Sequence, residues 1–171
     1  MDPQNAKFLT EQLTGIWQGE FAATCAVIAA VPNDKRDYKP DAKSRTAWEL
    51  AKHLAMGDIW FLDSILNGAF ASDAEASKKA DAAFGTIDDV LAFYKREFPA
   101  KIDAVRAMTP SALQAPISFF GMMTQPAASY LGFANNHSMH HRGQLITYLR
   151  SMGSKVPPTY GDSADFPMKG A

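Results

Sequence analysis

The chain has 171 residues, one cysteine and a formal net charge of −1 from 17 basic and 18 acidic side chains. That length fits one domain whose core needs no disulfide or structural metal. The balanced, dispersed charge excludes the basic footprint of a protein that binds nucleic acid or an anionic membrane. The N-terminal MDPQNAKFLTEQ has no basic start followed by an apolar run, and the Ala-rich stretch from Phe21 to Val31 is too short to cross a bilayer. With Cys25 alone there is no intrachain disulfide, and a cytoplasmic protein is expected.

Residues 5–30 place Phe8, Leu9, Leu13, Ile16, Trp17, Phe21, Cys25 and Ile28 at three-to-four spacing, which predicts a first amphipathic helix stopped by Pro32. Residues 32–44 are polar and contain two prolines, so they read as a loop. Thr46-Ala-Trp-Glu49 is a capping box that opens a second helix over 47–66, with His53 nearly two turns inside it. Residues 67–85 are small and polar with little periodicity and read as a long connection. Thr86-Ile-Asp-Asp89 starts a third helix over 87–108, in which Pro99 predicts a kink or a split. The link over 110–124 has room for a short strand or an apolar loop. Thr124 or Gln125, with Pro126 in the first turn, is expected to open a fourth helix over 126–152, stopped by Gly153. A Pro/Gly-rich tail fills 153–171. No repeat, sustained heptad or strand alternation is evident, so the expected architecture is all-α: one four-helix-bundle domain over the whole chain.

Three of the four histidines lie in NNHSMHHRGQ. His137 and His141 share a helix face with Cβ atoms about 5–6 Å apart, suited to two imidazoles gripping one ion. Their stripe also carries Tyr130, Phe133, Gln144 and Tyr148. His140 lies about 60° to the other side of His137 at the helical 3.6-residue period, so it can replace His141 or stand behind it. A catalytic first-row metal usually takes three protein groups and keeps a position open. His53 is the third candidate. Gly57 and Trp60 follow it on the same face by one and two turns, and glycine costs a helix interior about 0.8–1 kcal/mol relative to alanine. Gly57 therefore reads as space beside a metal, where a small-molecule substrate would sit.

A lone buried histidine is more often a hydrogen-bonded core residue than a ligand, and paired histidines also occur on solvated helix faces. The combination of the pair with His53 is what points to a metal. Cys25 reads as a small buried apolar residue. Arg142, about 100° from His141 on the helix, reads as an ion-pair or subunit-contact residue more than as an anchor for an anionic substrate. No general base stands out, because Glu49 is consumed by the capping box and Asp58 points away from the face of His53. An open three-histidine ion can activate either a water or a small thiol. The missing base favours the thiol. A non-catalytic metal-binding stress or sensor protein is the third reading. Neutral imidazole ligands also predict metal loss below about pH 6.

The run His137-Ser-Met-His-His141-Arg-Gly-Gln144, followed by Tyr148-Leu-Arg-Ser-Met-Gly153 and Val156-Pro-Pro-Thr-Tyr160-Gly161, resembles the DinB family. The block Ser44-Arg-Thr-Ala-Trp-Glu-Leu-Ala-Lys-His53 is similar to the family's second-helix signature. The resemblance implies a four-helix bundle of unusual connectivity holding one divalent ion, nickel or zinc, on three histidines. Carried over by motif, these are His53, His137 and His141, which selects His141 over His140. It also implies a homodimer and, from the wider superfamily, thiol-dependent transferases as one class of activity.

Overall fold

The computed structural model describes residues 1–72 and 74–167, the side chains of residues 74, 76 and 77 excepted. Four long helices, α1 (Pro3–Ala29), α2 (Ala47–Asn67), α4 (Ile87–Arg106) and α6 (Ser129–Ser151), form the bundle. Two short helices, α3 (Ala74–Ala82) and α5 (Pro110–Gln114), and a hairpin of β1 (Pro116–Phe119) and β2 (Met123–Pro126) fill the connections. No helix among the described residues is long and apolar enough to cross a membrane.

Local chemistry sets the helix ends. α1 starts earlier than its apolar pattern because Asp2 Oδ1 accepts from Gln4 and Asn5 N–H at 2.8 and 3.3 Å and Pro3 occupies the first turn. α2 opens on the expected capping box: Thr46 Oγ1 accepts from Glu49 N–H at 3.1 Å, and Glu49 Oε2 accepts from Thr46 N–H at 2.7 Å. It closes on Gly68, whose φ of 67° is left-handed. α4 opens on a second capping box at Thr86 and Asp89, runs unbroken through Pro99 and ends at Arg106, two residues short of expectation. There Ala107 folds back onto the last carbonyls, and Thr109 caps the separate helix α5.

The fourth long helix differs at its start. Thr124, Gln125 and Pro126 are in β2, paired in antiparallel register with β1, and α6 opens only at Ser129 without a side-chain cap. Pro126 sits opposite Pro116 at the outer end of the ladder, where a missing N–H costs no pairing, so a proline that reads as a helix start serves a strand end. Residues 67–85 also hold more structure than their composition promises, because α3 occupies half of them.

α1 packs on α4 and α6, and α2 packs on the same two helices. The ring order is therefore α1–α4–α2–α6. Consecutive α1 and α2 stand across a diagonal, as do α4 and α6, unlike an up-down bundle in which successive helices are neighbours. The core between them holds Trp17 edge-on to Phe98 at 5.3 Å and Phe21 stacked on Phe98 at 5.3 Å.

Candidate metal centre

Two neighbouring helices of the ring, α2 and α6, supply the histidines. His53 Nε2 and His141 Nε2 lie 3.1 Å apart, and the ring centroids of His53 and His137 are separated by 5.1 Å. One nitrogen from each of His53, His137 and His141 falls within 4.8 Å of the others. Donors bound about 2.0–2.1 Å from one tetrahedral ion stand about 3.4 Å apart, close to the spacing that His53 and His141 already have. All three rings are half-buried. Geometry thus brings together the three residues that the pattern and the family motif select, and the trio can hold a metal ion.

Three further observations fit that use. Gln144 Oε1 lies 2.8 Å from His141 Nδ1, so Nδ1–H donates to the amide and leaves Nε2 as a free lone pair facing His53. His137 Nδ1 is buried with no hydrogen-bond partner. Burial pushes His53 and His137 down to about 4, with Arg45 and the neighbouring histidines adding repulsion. Burial likewise lowers His141, partly offset by its bond to Gln144. The imidazoles are therefore neutral at physiological pH, and proton competition for the ligands moves from about pH 6 toward about pH 4.

Gly57 lines the cavity beside His53 and also makes room for a histidine ring. A Cβ built there would meet His137 Cε1 at 3.2 Å, so the missing side chain houses the imidazole itself. Space for a small molecule lies beside it, in a cavity of about 670 Å³ lined by His53, Gly57 and Trp60 with Trp48, Lys52 and Met56 of α2 and with Ser72, Lys78 and Asp81. Sequence reasoning overlooked Lys52, Met56 and the residues around α3. The signal on α2 was present, since 48, 49, 52, 53, 56, 57 and 60 form one helical stripe.

The other expected pocket residues lie elsewhere. Tyr130 is buried under the hairpin and donates to Ile117 O at 2.9 Å, Phe133 packs on Phe61 and Phe119, and Tyr148 meets Tyr38 edge-on at 5.7 Å. His140 is exposed, with its ring edge-on to His141 at 4.9 Å. Asp58 faces the core, accepting from Tyr94 OH at 2.8 Å and Ser138 Oγ at 2.9 Å, and burial pushes its carboxyl up to about 7. Cys25 is buried and its thiol is pushed up to about 11 by burial, an unreactive core thiol. Arg142 makes an ion pair: its guanidinium, buried on α6, reaches Glu20 Oε2 at 2.5 Å, Thr24 Oγ1 at 3.2 Å and the Tyr160 hydroxyl.

The sequence profile of the DinB family matches residues 3–167. The chain belongs to the DinB family. Within it, the chain is similar to two uncharacterized proteins of Bacillus subtilis. YrdA is 26% identical over 150 residues, covering 87% of this chain and 86% of YrdA. YjoA is 29% identical over 133 residues, covering 76% of this chain and 82% of YjoA. The crystal structure of the DinB-like protein YjoA superposes with a TM-score of 0.67 at 23% identity, covering 87% of this chain and 96% of YjoA. A DinB-like protein from Bacillus cereus superposes with a TM-score of 0.71 at 22% identity, covering 88% and 97%. These likenesses show a DinB-like helical fold.

Proposed function

We propose that this DinB protein is a metal-dependent enzyme that activates a low-molecular-weight thiol and transfers it to an electrophile, with His53, His137 and His141 holding one divalent ion, nickel or zinc. The observation that carries this reading is the convergence of three neutral imidazoles, one of which, His53, lines a substrate-sized cavity. Bound there, such an ion supplies Lewis acidity that lowers the pKa of a thiol or a water beside it. Gln144 fixes the tautomer and aim of His141. Trp48, Met56 and Trp60 form the apolar walls that exclude water from the reacting sulfur. In the transfer the thiol proton passes to solvent water and the sulfur–carbon bond forms; a halide leaves as its anion, or an epoxide carbon–oxygen bond opens and the alkoxide takes a proton back from water.

The carboxylates around the cavity favour thiol chemistry over hydrolysis, which needs a base. Glu49 is held by Thr46, and Asp81 is ion-paired to Lys52 at 2.5 Å. The test is elemental analysis of the wild type beside His137→Ala, then conjugation assays with cellular thiols and a chlorinated or epoxide acceptor. Stoichiometric metal in the wild type, its loss in the variant and metal-dependent conjugation are expected. Full metal in His137→Ala would sink the ligand set. Hydrolysis of esters or amides with no thiol transfer would install the hydrolase reading instead, and a metal-loaded protein with no reaction would install the storage or sensor reading.

A further inference from the structure

Lys52 lies beside His53 on the cavity wall, yet the metal chemistry gives it no part. Its residue is only 7% exposed. Its ammonium sits 4.8 Å from the Trp48 ring centroid and 2.5 Å from Asp81 Oδ1. An ammonium carries three N–H donors, and a desolvated cation is costly unless they are satisfied. Among the described residues Asp81 is its only acceptor. Both residues line the cavity.

The pair is also asymmetric. The Asp81 side chain, on short α3, is 49% exposed, whereas that of Lys52 is 9% exposed. If the bond opens, Asp81 turns into water and recovers its hydration, while Lys52 stays under Trp48 and needs a replacement anion. Lys78, paired with Glu75 at 3.4 Å, also lines the cavity, and Glu49 is drawn back toward the helix start by Thr46.

We infer that Lys52 is an anion subsite of this cavity, seating the carboxylate end of a small ligand whose apolar body lies along Trp48, Met56 and Trp60, with Asp81 as the internal carboxylate that the ligand displaces. His53 opens onto the same space one residue further along α2, so a group on the ligand's body faces the histidine trio. The inference deepens the thiol reading by naming an acidic thiol as its co-substrate class. The subsite itself rests on the cavity and its ion pair.

The test is titration of the protein with phenylpropionate and with the neutral phenylpropionamide, followed by tryptophan fluorescence. Wild type is expected to bind the acid about tenfold more tightly than the amide, the worth of one charge-assisted hydrogen bond. Lys52→Met should erase the preference. Asp81→Asn should strengthen acid binding several-fold while leaving the amide unchanged, a direction that simple structural damage would not produce; if Lys52→Met does not fold, this variant carries the test. Equal binding of acid and amide by wild type, or weaker acid binding by Asp81→Asn, would overturn the subsite. Cobalt-loaded protein titrated with mercaptopropionate and mercaptoethanol separates the two claims through the thiolate-to-cobalt absorption band. No band from either thiol, with the phenylpropionate preference intact, removes the thiol reading and keeps the subsite. Bands of equal affinity from both thiols keep the thiol reading and remove the subsite.

Discussion

A methyl group at position 57 would come 3.2 Å from His137 Cε1, so Gly57→Ala sets two effects against each other. The helix gains up to about 1 kcal/mol from the better helix former, while the imidazole must shift by a few tenths of an ångström. The metal-free variant is expected to melt no lower than wild type, yet to bind metal more weakly in a chelator competition; equal affinity would mean the ring has slack. Gln144→Ala leaves the three ligands in place but frees the His141 ring, and a 10- to 100-fold loss of metal affinity is expected. His140→Ala should keep full metal content, since His140 is exposed and outside the convergent trio.

At the scale of elements, α6 is tied to α1 by the buried Arg142–Glu20 pair, which Tyr160 of the tail closes by donating to Glu20 Oε2 at 2.9 Å. Arg142→Met would leave Glu20 without its cationic partner, and a loss of about 3 kcal/mol in urea unfolding is expected; Tyr160→Phe should cost about 1 kcal/mol. A smaller effect of Arg142→Met than of Tyr160→Phe would contradict this account. The same elements show what was legible in the chain. The two capping boxes placed the starts of α2 and α4, because caps are local chemistry. A histidine site joining His53 to α6 was legible because His137 shares a helix face with His141, but the choice of His141 over His140 came from the family motif and not from spacing. The β1–β2 hairpin and the late start of α6 were not, since Thr124-Gln-Pro126 satisfies a helix-start pattern and only pairing with Pro116–Phe119 overrides it. The role of Gly57 was half legible: its small size pointed to a close approach, but only tertiary packing tells that the visitor is His137. The tail's last residues, 168–171, lie outside the described residues.

For the whole molecule, the buried titratable groups pull stability in opposite directions over one pH window. Between about pH 6.5 and 4 the unfolded chain takes up protons that folded, metal-free His53 and His137 refuse, so stability falls as the pH drops. Asp58 acts the other way. Between about pH 4 and 7 the fold keeps a carboxyl proton that the unfolded chain releases, so its contribution falls as the pH rises. Asp58→Asn removes the second effect, and its melting temperature relative to wild type should climb from pH 5 to pH 8; parallel curves would show that Asp58 does not titrate in this range. If the chain forms the homodimer that the family resemblance implies, a candidate face lies on α1, where Phe8 and Ile16 are 66% and 55% exposed. Phe8→Glu with Ile16→Glu is expected to give a monomer in sedimentation velocity, and an unchanged dimer would move the interface elsewhere.

The diagonal order of the helices has a kinetic consequence. His53 and His141 are separated by 88 residues, and the helices that carry them pack directly on each other with α4 lying between them in the chain. An unfolded or half-assembled chain cannot gather the trio without first closing that long loop. Metal should therefore slow unfolding much more than it speeds folding, acting as a late clasp on a ring already formed.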